Sequence, residues 1–207
     1  MGMRIRKKWD LLSEQSGALI LLAIAFLAGG AAGCFLAVLS GDAAAEELSA
    51  YLTGYLTLAR DGSLPRELWA VLWGQARYLL AAAVLSMTAL GLAGLPVLFG
   101  VRGFFLSFPV ACFWRVFGGR GLFPAFVLFG LPALLWAPAL FLLGVPGFLT
   151  ARQRLSRPAG ESRGDLPFSS RGWWCRVGLC VGLALGAGLL EYQIVPVLLR
   201  GLARVIL

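Results

Sequence analysis

The amino-acid sequence predicts an all-α polytopic membrane protein, a bundle of about five transmembrane helices, and three observations carry that reading. Hydrophobic residues fill 59% of the 207 positions against 14% charged, with a mean hydropathy of +0.84, more than a water-soluble core requires. Residues 17–39 carry no charge, and as helix they span about 33 Å, enough to cross a bilayer. Comparable apolar runs recur at 78–99, 103–117, 122–150 and 173–199.

The first run exceeds the roughly 7–15 apolar residues of a signal peptide, so a retained helix is expected. The third run is short and ends at Gly118-Gly119-Arg120-Gly121. It is either a full crossing or a re-entrant hairpin with the fourth. Pro96, Pro109, Pro124, Pro132, Pro138 and Pro146 fall in or beside spans two to four. Each internal proline removes an N–H and disturbs the carbonyl four residues back. Groups freed in that way survive only where protein or water surrounds them, so the fourth span is expected inside the bundle.

Lys and Arg favour the cytoplasmic side. An inside N-terminus puts Arg4, Arg6, Lys7, Lys8, Arg102, Arg152, Arg154, Arg157, Arg163, Arg171 and Arg176 there, eleven cations against six outside. The expected layout is a single membrane domain over 1–207, with a cytoplasmic N-terminal segment at 1–16, an external loop at 40–75, a cytoplasmic basic linker at 151–172 and an external C-terminus. The net charge of +8 then follows topology and suits anionic membrane lipid, with no nucleic-acid partner implied.

The external loop is amphipathic. Leu48, Tyr51, Leu52, Tyr55 and Leu56 recur at helical spacing, and Trp69 and Trp73 repeat the pattern beside Leu68 and Leu72 after Pro65. Such faces either lie on the bilayer surface or dock an external partner. Gly29 and Gly33, and Gly178, Gly182 and Gly186, repeat every fourth residue, which lets helices approach closely within the chain or in a homo-oligomer. The four cysteines form no CxxC pair and read as small apolar fillers. With no His in the chain, His-dependent nucleophilic catalysis and His-ligated zinc are excluded. No phosphate-cradling loop is present either, so the expectation is a non-enzyme without cofactor or metal.

Two charges fall inside apolar runs. Glu191 stands alone between Val177 and Leu199. A span of 177–199 places it just past mid-membrane, where carboxylates are costly and paired, whereas a span of 173–192 places it at the outer headgroups between two aromatic belts. Arg115 reaches a similar depth by residue counting, so an intramembrane Arg115–Glu191 ion pair is expected under the first framing.

Arg77-Tyr78-Leu79-Leu80 leading to Leu90-Gly91-Leu92-Ala93-Gly94-Leu95-Pro96, then Arg102-Gly103-Phe104-Phe105, then the tail from Leu190-Glu191 to Pro196, resemble the stage II sporulation protein M family in order and spacing. The motif positions are Pro96, Arg102, Gly103, Pro132, Pro138, Glu191 and Pro196. In the fourth span Leu131-Pro132-Ala133-Leu134-Leu135-Trp136-Ala137-Pro138 keeps the prolines about one residue closer together and lacks the family's polar pair. The resemblance implies a scaffold in the mother-cell septal membrane, required for engulfment during endospore formation. Its implied partners are two peptidoglycan-degrading enzymes, stage II sporulation proteins D and P. The alternative function is a small transporter- or channel-like protein with a path along Pro-kinked helices.

Overall fold

The computed structural model describes residues 2–39, 42–61, 68–155, 171–198 and 201. The chain is an all-α bundle: α1 (Gly2–Leu39), α2 (Asp42–Asp61), α3 (Leu68–Ser86), α4 (Gly91–Phe117), α5 (Gly119–Ala125), α6 (Leu131–Leu155) and α7 (Arg171–Leu189). Two single turns of π-helix complete it, Phe126–Gly130 between α5 and α6 and Leu190–Ile194 beyond α7. Helix is what lipid demands, because each backbone N–H and C=O must find its partner within the same segment.

Five stretches are long and apolar enough to cross a membrane: Glu14–Leu39, Leu68–Ser86, Gly91–Phe117, Gly119–Leu155 and Gly172–Leu198. The expected number of spans stands, but the border between the second and third moves. The sequence reading ended span two at Phe99 and put Arg102 in a cytoplasmic turn; α4 instead runs unbroken through Arg102. The chain turns at residues 87–90, where Met87 and Thr88 donate backbone N–H groups to the Val84 and Leu85 carbonyls at 3.1 Å. Ser86 Oγ donates to Ala82 O at 2.6 Å and Thr88 Oγ1 to Leu85 O at 3.2 Å, so hydroxyls satisfy carbonyls that the ending helix orphans. Arg154, at the end of α6, donates to Met87 O and ties this turn to the same end of the bundle.

Because α3 starts at Leu68, Trp69 and Trp73 belong to a spanning helix, and the loop expected at 40–75 ends by residue 67. The third span, with 27 residues, is a full crossing in length, not a short hairpin. At the other end of the chain, α6 takes residues 151–155 from the expected basic linker, and residues 156–170 of that linker lie outside those described.

α6 sits at the centre, packed against α1, α3, α4 and α7, as its prolines require. One core cluster joins Leu22, Ala82, Leu95, Phe99, Trp136 and Leu140. Phe99 meets Phe141 edge-on at 4.8 Å between centroids. A second cluster, toward the turn at Gly118, gathers Ala37, Cys112, Phe113, Val127 and Val195. Both π-turns precede a proline by two residues. The N–H groups of Leu131 and Val195 reach back five residues to Phe126 O and Leu190 O, just before Pro132 and Pro196. A proline ring collides with the carbonyl four residues earlier and offers it no N–H; widening the preceding turn relieves that collision.

Small residues bring α1 onto α4. A Cβ added to Gly29 would stand 1.9 Å from Gly100 O, and one on Gly103 would stand 2.0 Å from Phe26 O. Gly33 faces Phe104 O at 2.9 Å. The expected α1 contact positions are therefore seams within the chain. The stripe on α7 is different: among the described residues nothing lies within 4 Å of a Cβ at Gly178 or Gly182, and Gly186 meets Leu135 only at ordinary contact distance, 3.7 Å. That face has room for a side chain, so the first two glycines pack no neighbour here.

Gly29→Ala and Gly103→Ala should each destabilise the bundle by about 1–3 kcal/mol, since the clash is with rigid backbone. Gly178→Ala and Gly182→Ala should be neutral or slightly stabilising through helix propensity. Thermal unfolding in detergent distinguishes the two pairs.

Candidate functional site

Arg102 is the twelfth of the 27 residues of α4, deep within a span, where an isolated cation is costly. Its neighbour Gly103 turns toward α1 and lets the Phe26 carbonyl approach, so the Arg102 side chain leaves the helix toward α3 and α6. There Arg102 Nη2 donates to Gln75 Oε1 at 2.6 Å. The guanidinium carbon lies 3.9 Å from the centroid of the Trp136 ring and 4.3 Å from that of Tyr78. Arg102 Nε is buried without a hydrogen bond; the two π faces supply the attraction that a further acceptor would have given.

Gln75 passes the interaction on. Its Nε2 donates to Glu191 Oε2 at 3.1 Å, so one amide accepts from the cation and donates to the anion. The result is a three-membered relay, Arg102 to Gln75 to Glu191, that joins α4, α3 and the second π-turn. Glu191 is half-buried and lies within the last apolar stretch, Gly172–Leu198. Trp136 is held in turn by Phe26, at 6.4 Å between ring centroids. Arg77 lies over the other side of the network, 4.9 Å from the Tyr78 centroid, and donates to Tyr78 Oη at 3.3 Å.

The two charges expected to meet thus find other partners, and the Arg115–Glu191 pair is corrected. Arg115 Nη1 donates to Ala37 O at 2.8 Å and lies 3.5 Å from Val38 O. It covers the last carbonyls of α1, where a cation also complements the negative end of the helix. The pairing failed because residue counting set Arg102 at the membrane boundary. Once Arg102 is inside the span, it reaches Glu191 through Gln75, whereas Arg115 lies 13 residues, about 20 Å, farther along α4.

The candidate docking face is divided. Tyr51 on α2 is 69% exposed, while the side chains of Leu48, Leu52, Tyr55 and Leu56 lie outside those described. Trp69 and Trp73 are exposed and stacked on each other at 6.3 Å, but they stand in the first turns of a spanning helix, the place of an interfacial aromatic belt. Among the motif positions, Arg102, Gly103 and Glu191 meet in or beside the relay, Pro132 and Pro196 set the π-turns, Pro96 lies within α4, and Pro138 is exposed on α6.

Sequence reasoning missed Gln75, Tyr78 and Trp136. Gln75 had been assigned to the external loop by the misplaced border, and an aromatic in an apolar helix carries no sign that it faces a cation. Comparison of the chain with protein-family models, with curated proteins and with solved structures finds no match.

Arg102→Leu, which removes the cation of the relay together with its bond to Gln75, should cost about 3–5 kcal/mol. Arg115→Gln should cost about 1 kcal/mol, the worth of a helix cap. Arg102→Gln combined with Glu191→Gln should be less harmful than the sum of the two by about 1 kcal/mol or more. A double-mutant cycle on detergent unfolding midpoints reads all three, and strict additivity would contradict the relay.

Proposed function

We propose that this protein is a membrane scaffold that presents an outer helical surface to other proteins and carries out no bond-making chemistry. The observation that supports it best is the relay: the charged side chains of Arg102 and Glu191 are engaged with Gln75, Tyr78 and Trp136, and so serve to hold three helices in register. A fixed bundle with α2 lying outside the spans suits display. The Lys and Arg distribution supports a cytoplasmic N-terminus, and five crossings then carry the C-terminus and α2 to the outside. Arg102 and Arg77, now inside spans, leave one set each, and the asymmetry remains.

The resemblance to stage II sporulation protein M makes the reading more specific. The scaffold acts in the mother-cell septal membrane during engulfment and anchors the peptidoglycan hydrolases, stage II sporulation proteins D and P, through the α2 face around Tyr51. A second reading, a transporter- or channel-like role, draws on one feature: the Arg102–Glu191 network at span depth, with a π-turn at the carboxylate.

Single cysteines at Glu46 and Asp61 in a cysteine-free background should be labelled by a membrane-impermeant maleimide from outside intact cells. Tyr51→Asp together with Tyr55→Asp should reduce co-purification of both hydrolases at least about tenfold, with the bundle's melting unchanged. Labelling only after lysis would reverse the orientation, undiminished recovery would remove the docking face, and solute flux in proteoliposomes would favour the second reading.

A further inference from the structure

Alongside the middle of α6, from Pro138 to Pro146, α1 and α7 both lean on α6 and leave a groove of about 760 Å³ between them, within the size range of small-molecule sites. The floor is α6, which turns Phe141, Leu142 and Val145 upward at helical spacing. The α1 wall supplies Leu19 and Ile20, about half exposed. Polar groups sit at one end alone. Gln15 and Ser16, one turn before Leu19 and Ile20 on the same face of α1, line the groove together with Arg176 of α7. Among the described residues no carboxylate lines this groove, whereas Glu14, on the neighbouring face of α1, lines the two adjacent clefts together with Arg152. The groove therefore combines an apolar trough with one cationic side chain, Arg176, and the hydrogen-bonding side chains of Gln15 and Ser16.

We propose that this groove is a binding site for one anionic phospholipid. An acyl chain lies along Phe141, Leu142 and Val145 between α1 and α7, and the phosphate sits against Arg176 within reach of Gln15 and Ser16. Charge complementarity selects the occupant: the trough accepts any lipid tail, but a mouth carrying Arg176 without a carboxylate favours a headgroup of net negative charge over a zwitterionic one, whose ammonium finds no partner there. The lipid closes the gap between α1 and α7, and so joins the first span to the last.

The test is native mass spectrometry of the full chain in neutral detergent, titrated with dioleoyl phosphatidylglycerol or dioleoyl phosphatidylcholine. The first phosphatidylglycerol should bind about fivefold more tightly than the first phosphatidylcholine, the worth of one basic residue at a membrane surface. Arg176→Gln should abolish that preference, Arg176→Lys should keep most of it, and Arg120→Gln at the opposite end should leave it intact. Leu142→Trp, which alters no charge, should lower occupancy by both lipids by filling the trough. Equal affinities in the wild type, an undiminished preference in Arg176→Gln, an equal loss in Arg120→Gln, or unchanged occupancy in Leu142→Trp would each overturn the site.

Discussion

A guanidinium held in the middle of a membrane span is the constraint around which this bundle is arranged. Insertion scales put the cost of Arg at mid-helix near 3 kcal/mol, and an isolated helix in simulation costs considerably more. Arg102 offsets that cost only if several elements arrive at one level. α3 must bring Gln75 and Tyr78 to the same height, α6 must present Trp136, and the extension of α7 must place Glu191 behind Gln75. Gly103 then serves the opposite face by letting α1 close against α4. Two adjacent residues with opposite demands, one for polar company and one for empty space, thus position four of the five spans.

The fold class was legible because lipid reduces the problem to the length of apolar runs, and the count of spans followed from it. The border between α3 and α4 was not legible, for a physical reason. Hydropathy marks a loop by charge, and here the signals are exchanged: the turn at residues 87–90 is made of Met, Thr, Ala and Leu, with Ser and Thr hydroxyls closing its own carbonyls, while the charge at Arg102 lies inside the helix. The same exchange hid the relay, since it sent Gln75 to the wrong side of a boundary. Glu191 was recognisable as a residue needing a partner, but the identity of that partner depends on three-dimensional level, which one-dimensional counting from an incorrect edge cannot supply.

Proline was the more faithful guide. It required α6 to lie where other helices surround it, and α6 touches every other spanning helix. Pro132 and Pro196 act farther than their own positions by widening the turns before them. The second of these wide turns carries Glu191, so the local relief of a steric conflict also sets the direction from which the anion enters the relay. The small residues divide by environment instead of by motif: equal four-residue spacing packs tightly on α1 and meets open space on α7.

The order in which the relay's members occur along the chain has a consequence for biogenesis. A ribosome delivers Gln75 and Tyr78 before Arg102, Trp136 after it, and Glu191 last, 89 residues after Arg102. The nascent α3–α4 hairpin therefore enters lipid with Arg102 solvated by an amide and a phenol ring. The relay's carboxylate arrives only with the final span, so a chain interrupted before α7 leaves Arg102 without the anion to which Gln75 links it in the finished molecule.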